Sequence, residues 1–243
     1  MGHQLIQCFY ISHRTAPGHR VQLMFRIFRL EPHQICKYDH VDLLDGPDDS
    51  APLIGRHCGD KRPPLTTSSS TNITVTFFSD TSVQRKGFKI RYKTVCGGTL
   101  KATPDVQHFV SHPNFGLRKY NKNENCTWSI EAPAGQKVLL DFDSFDIEDD
   151  CKFDNVTIIN GQREIVKCGS HAPRSVTSVG HQLLVHFRSD HTLQHEGFRA
   201  TYRVAGGSVA PPGGLETVPE RVDQSGQEQS VYTDLSRPRF DQR

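Results

Sequence analysis

The chain has 243 residues, which allows one or two domains at roughly 100–200 residues each. Its 29 Lys and Arg nearly balance 27 Asp and Glu, and the net charge of +2 argues against a strongly basic nucleic-acid binder and an acidic solvating tail. Apolar residues make up 35 %, mean hydropathy is −0.54, and nothing approaches the roughly 18 consecutive apolar residues of a membrane helix.

The opening, MGHQLIQCFY, lacks the basic patch, apolar core and small-residue cleavage site of a secretory leader. The expectation is a chain without its N-terminal piece and without its signal peptide. From Cys8 the sequence reads as short strands. Val21, Leu23 and Phe25 alternate with Gln22 and Met24, the period-2 pattern of a half-buried strand. Glu31 ends that strand, Cys36 and Asp39 precede the next, and Cys58 follows. The late stretch FFSDTSVQRKGFKIRY carries Asp80 and Ser82.

The chain then repeats itself. Val138, Leu140 and Phe142 alternate as Val21, Leu23 and Phe25 do, followed by Glu148, Cys151, Asp154, VTIIN and Cys168. The stretch FRSDHTLQHEGFRATY, with Asp190 and Thr192, matches the one from Phe77. Asp80 and Asp190, Gly87 and Gly197, Tyr92 and Tyr202, and Cys58 and Cys168 are each 110 residues apart. That period is domain-sized, far above the roughly 20–50 residues of a solenoid unit. No segment shows sustained i, i+3, i+4 apolar spacing. The fold class expected is all-β: two consecutive β-sandwich, jelly-roll-like domains over residues 1–94 and 95–204, with almost no linker between them. From Ala205 the chain is rich in Gly, Pro, Ser, Gln and Glu, so 205–243 reads as a disordered tail.

The seven cysteines form no CxxC pair of a zinc or redox site. The second copy has four and the first has three. The simplest pairing is Cys96–Cys126, Cys151–Cys168 and Cys36–Cys58, which leaves Cys8 unpaired, either with a partner upstream of Met1 or as a free buried thiol. Asn72, Asn125 and Asn155 are N-glycosylation sequons. Trp128 and Phe145 read as core, and His191 and His195 as surface histidines. The runs Arg85-Lys86 and Lys89-Ile90-Arg91 read as a solvated strand face, with contact to a heparin-like polyanion as the minor reading. No HExxH, GxSxG, GDSGG or phosphate-binding loop is present, so no enzyme is expected.

The opening CGG, SHPNFGLRKYNKNENCTWSI, LLDFDSFDIEDDCKFDNVTIINGQ, the Cys168-Gly169 pair and HFRSDHTLQHEGFRATY together resemble a CUB domain along its whole length. The first copy resembles the last four-fifths of another. The abutting pair is more like cubilin or the procollagen proteinase enhancers than like tolloid proteases, where EGF modules intervene. The resemblance implies a disulfide-bonded extracellular sandwich. In both copies Glu, Asp and Asp follow one pattern, and three hard oxygen donors suit Ca²⁺, which takes 6–8 oxygens. The family's calcium site carries over to Glu148, Asp154 and Asp190 with Thr192, and to Glu31, Asp39 and Asp80 with Ser82. Tyr120 falls near the family's site tyrosine. The function implied is a secreted, calcium-dependent protein-interaction module whose acidic, ion-organised sites bind basic (Lys) side chains of a protein ligand. The alternative is the non-catalytic CUB portion of a secreted multidomain protease. No nucleic-acid partner and no membrane span are expected in this chain.

Overall fold

A computed structural model describes residues 6–206 and 229–232, with side chains from Phe9 to Gly206. Two compact units meet in the chain between Val95 and Cys96, with the short segment 16–20 grouped with the second. Every regular element among the described residues is a strand, and no helix is long and apolar enough to cross a membrane.

In the first unit, β1 (Ile6–Arg14), β2 (His19–Arg29), β3 (His40–Leu44), β4 (Leu53–His57), β5 (Thr66–Thr67), β6 (Asn72–Ser79) and β7 (Gly87–Cys96) form two sheets. One has the order β1-β6-β3-β4, and the other includes β7-β2-β5. In the second unit, β8 (Gly98–Lys101), β9 (Gln107–Val110), β10 (Asn125–Glu131), β11 (Val138–Asp146), β12 (Asn155–Asn160), β13 (Arg163–Lys167), β14 (Val176–Thr177), β15 (Gln182–Arg188) and β16 (Gly197–Val204) do the same, as β13-β12-β15-β10-β8 and β14-β11-β16-β9.

The repeat extends to the packing. Ile73, Val75, Phe77, Phe88, Ile90 and Tyr92 are buried in one core, and Leu183, Val185, Phe187, Phe198, Ala200 and Tyr202 hold the same places in the other. Alternation along each strand puts these side chains on one face, where burial of each large one contributes about 1.5–3 kcal/mol. Trp128 and Phe145 are core residues as expected. In β11 a bulge between Phe142 and Ser144 shifts the strand's phase, so Phe145 and Ile147 also face inward. The three expected disulfides, Cys36–Cys58, Cys96–Cys126 and Cys151–Cys168, are present. The register of β1 on β6 jumps between Gln7 and Phe9, so the strand bulges at Cys8, where the first copy has one residue more than CTWSIEAPAGQKVLL of the second. The Cys8 side chain lies outside the described residues.

The expectation of a disordered tail also falls largely outside them. One part of it differs. Gln229–Tyr232 form β17, antiparallel to β7, with Gln229 opposite Tyr92 and Tyr232 opposite Lys89. In the second unit β9 lies on β16 with Gln107 opposite Tyr202 and Val110 opposite Arg199. Because Tyr92 and Tyr202 are equivalent, β17 occupies on the first sandwich the place and register that β9 occupies on the second. The physical reason is local: the sequence QSVY includes Val and Tyr, both strand formers, inside an otherwise polar stretch.

Two outcomes follow. Phe187→Ala removes a fully buried ring and is expected to cost about 3–5 kcal/mol by denaturant unfolding. A chain ending at Gly206 is expected to lose amide protection in β7 but not in β16, as read by hydrogen exchange.

Candidate metal centres

Both proposed carboxylate trios converge. One carboxylate oxygen from each of Glu148, Asp154 and Asp190 lies within 4.8 Å of the others, and the same holds for Glu31, Asp39 and Asp80. Each trio sits at one end of its sandwich. Glu148 follows β11, Asp154 immediately precedes β12, and Asp190 follows β15.

The first acid is set by a backbone clamp. The Ile147 N–H donates to Gly169 O at 3.0 Å, and the Gly169 N–H donates to Glu148 O at 3.0 Å. Gly169 has φ +74°, a left-handed conformation that favours glycine, and a Cβ there would come within 3.1 Å of Asp149 Oδ1. The adjacent Cys168–Cys151 disulfide closes the loop that carries Asp154. The first unit repeats the device: the Leu30 N–H donates to Gly59 O, and the Gly59 N–H to Glu31 O. The Cys-Gly dipeptide is therefore what aims the glutamate, although two residues separate Glu148 from Cys151 and four separate Glu31 from Cys36.

Asp154 is fully buried. Its Oδ1 accepts the Asp190 N–H at 2.6 Å, and its Oδ2 accepts the Tyr120 hydroxyl at 2.6 Å. Burial, and then the neighbouring Asp154, pushes the Tyr120 phenol far above its ordinary pKa, so it stays a donor. Asp190 Oδ1 accepts both the N–H and the hydroxyl of Thr192, at 2.7 and 2.8 Å, which lower its pKa. Glu148 is the odd member. Its Oε2 is buried and has no hydrogen-bond partner. Burial raises its pKa, and the charges of Asp154 and Asp190 raise it further.

In the first unit Asp39 Oδ1 accepts the Asp80 N–H at 3.1 Å and the Ser79 hydroxyl at 2.8 Å. Burial raises its pKa despite those bonds. Ser82 caps Asp80 Oδ1 through its N–H at 2.8 Å and its hydroxyl at 2.6 Å, as Thr192 caps Asp190.

Sequence reasoning missed the residues that deliver Tyr120. The His112 ring joins the Ser111 hydroxyl at 2.9 Å and Arg118 O at 2.7 Å. A carbonyl only accepts, so Nε2 carries a proton, and burial, which lowers the ring's pKa, favours the neutral form in which Nδ1 accepts from Ser111. Ser189 Oγ donates to Asn121 O and accepts the Glu124 N–H, while Gln194 Nε2 donates to Tyr120 O. His195 pairs with Asp146 at 3.2 Å, and His191 is exposed. Among the sequons, Asn125 is exposed, Asn72 is half-buried, and the Asn155 side-chain amide donates to Cys151 O beside Asp154. Arg85 and Lys86 are exposed, and Lys89 and Arg91 are half-buried on β7.

A comparison with protein-family models matches the CUB domain at residues 3–92 and 96–202, and the chain belongs to the CUB-domain family. It is 40 % identical over 203 residues to human tolloid-like protein 2, covering 81 % of this chain and 20 % of that protein. The zinc metalloproteinase nas-39 of Caenorhabditis elegans is 40 % identical over 200 residues, covering 79 % of this chain and 22 % of that one. Human procollagen C-endopeptidase enhancer 1 is 33 % identical over 217 residues, covering 82 % and 48 %. The identity to the tolloid-like protein thus exceeds that to the enhancer, against the leaning expected from the abutting tandem. The chain spans about a fifth of the first two relatives and about half of the third.

The neutral His112 gives a pH dependence. Burial lowers its pKa from 6.5. The unfolded chain takes up the proton first, so the stabilisation is complete above about pH 6.5 and is lost as pH falls toward the lower folded-state value. Melting of the second unit is expected to drop between pH 7 and pH 5, and His112→Gln is expected to flatten that drop.

Proposed function

We propose that the chain is an extracellular, calcium-dependent protein-binding module, without catalysis of its own, and that each CUB domain takes one calcium ion among its three carboxylates. The observation that carries this reading is the buried, unpartnered Oε2 of Glu148 beside Asp154 and Asp190. A buried carboxylate oxygen without a donor, facing two more acids, is costly unless a cation meets it. All-oxygen donors of this hardness suit Ca²⁺, and the backbone and hydroxyl oxygens at Thr192 and Ser82, with water, would fill the shell. The same reading extends to Glu31, Asp39 and Asp80, and the three disulfides fit an oxidising extracellular compartment.

The bound ion would supply positive charge that ties three loops together. The remaining acidic rim beside Tyr120 would then receive a lysine ammonium from a protein ligand. One exposed pair of this kind is worth roughly 0–1 kcal/mol, so useful affinity comes from two sites in one chain acting on one partner. A second reading, the non-catalytic part of a longer secreted protease, is favoured by the 40 % identity to a zinc metalloproteinase of which this chain spans about a fifth. It leaves the role of the trios unchanged.

Calcium titration of the oxidised chain, by calorimetry and thermal melting, tests the proposal. Saturable binding is expected, adding about 2.7 kcal/mol of stability at 100 times Kd. Asp154→Asn or Asp190→Ala is expected to abolish the second site's contribution and Asp39→Asn the first's. Absence of any binding at millimolar calcium sinks the metal reading. Once binding is shown, a lysine-rich protein ligand is expected to be released by EDTA.

A further inference from the structure

The second unit carries a cluster of cations that the calcium reading does not use. A groove of about 500 Å³ lies between β13 and the segment leading into β14, lined by Arg163, Ile165, Lys167, Arg174, Ser175 and Thr177 among others. β13 is the edge strand of its sheet, and β14 is the edge of the other and only two residues long. Ile165 pairs with the buried Ile158 and Lys167 with the buried Val156. Cross-strand partners share a face, so Arg163, Ile165 and Lys167 all emerge on the core-facing side of β13. The second sheet is too short to cover them there. Arg174 approaches from the chain entering β14.

All three cations are exposed, and no carboxylate pairs with any of them among the described residues. Glu164 lies on the opposite face of the strand. The nearby Asp141 accepts the Ser175 hydroxyl.

The first unit supplies the internal control. There the equivalent positions, 110 residues earlier, are Leu53, Gly55, His57 and Pro64. The strand β4 is likewise an edge strand, and its Arg56 is paired with Asp42 at 2.8 Å. His57 lies over Gly55, where an added Cβ would come within 2.9 Å of its ring. Neither the fold nor protection of an edge strand requires the three cations, since the same sandwich edge is built without them.

We propose that this groove binds a strand of sulfated polysaccharide. Arg163 and Lys167 are four residues apart on an extended strand, about 13 Å between their backbones, too far for one small anion to bridge. The occupant is therefore an extended polymer with several fixed negative charges. Sulfate stays ionised throughout the physiological range, and guanidinium groups meet it through paired N–H donors. Hydroxyl-bearing Ser175 and Thr177 between the cations, with no aromatic ring in the lining, suit a sugar chain better than a peptide with side chains to bury.

The test is binding of the full chain to immobilised heparin across a salt series, with and without EDTA. The triple variant Arg163→Ser, Lys167→Ser, Arg174→Ser is expected to bind about tenfold more weakly, with a shallower dependence of log affinity on log salt. A control that loses the same charge elsewhere, Arg26→Ser, Lys61→Ser, Arg62→Ser, is expected to change affinity much less. All six side chains are exposed, so both variants are expected to melt as the parent does. EDTA is expected to leave heparin binding unchanged, which separates this proposal from the calcium sites. Three results overturn it: no retention of the parent chain, equal loss in both triple variants, or equal binding to desulfated heparin or polyglutamate at matched charge.

Discussion

A carboxylate with no exposure to water governs the architecture of the second domain's acidic end. Both oxygens of the buried Asp154 are met there: the Asp190 amide takes one and the Tyr120 hydroxyl the other. Those two bonds join three separate stretches of chain. The loop closed by the Cys151–Cys168 disulfide brings Asp154, the turn after β15 brings Asp190, and the long connection after β9 brings Tyr120. Further contacts at this end position these partners. The His112 ring, Ser189 and Gln194 hold the connection in place, and Thr192 holds the turn. Glu148 is then left with a buried oxygen that no side chain or amide satisfies.

The two domains solve the same problem with different parts. In the first, Ser79 turns its hydroxyl onto Asp39; in the second, the equivalent Ser189 is engaged by Asn121 and Glu124, and Tyr120 meets the aspartate instead. The edge of β7 is covered by β17 and the edge of β16 by β9, in one register. The open sandwich edge carries Leu53 and His57 in one copy and Arg163 and Lys167 in the other. The shared positions pack or clamp, and the charge differences at this edge face outward.

Much of this was legible in the residues. The common spacing of Cys58 and Cys168, Asp80 and Asp190, and Tyr92 and Tyr202 exposed the repeat. Alternation then gave the strands, and the acids recurring beside the cysteines gave both trios. What stayed hidden depends on contacts distant in sequence. Four residues of strand-forming character in a polar tail do not announce a partner, so β17 was read as disorder. The bulge at Cys8 has no signature until the register of β1 on β6 shows it. Arg163, Lys167 and Arg174 look like scattered surface charge, because only the sheet edge brings them to one groove. The glycine after Cys168 was seen as part of a pattern, but its reason, a left-handed turn that feeds the clamp on Glu148, is a matter of backbone geometry.

That clamp has a consequence for redox chemistry. The Cys151–Cys168 bond closes a loop of sequence separation 17, for which the lost freedom of the unfolded chain is worth about 3 kcal/mol. Its two ends flank the segment that carries Asp154 and the glycine that holds Glu148. Reduction therefore loosens two of the three acids at once, while Asp190 keeps its own turn. Linkage makes the effect reciprocal: whatever free energy the closed loop adds to cation affinity, a bound cation returns as resistance of that disulfide to thiols. On the proposed calcium reading, the domain's cation affinity and its thiol sensitivity are thus one coupled property of the loop between Cys151 and Cys168.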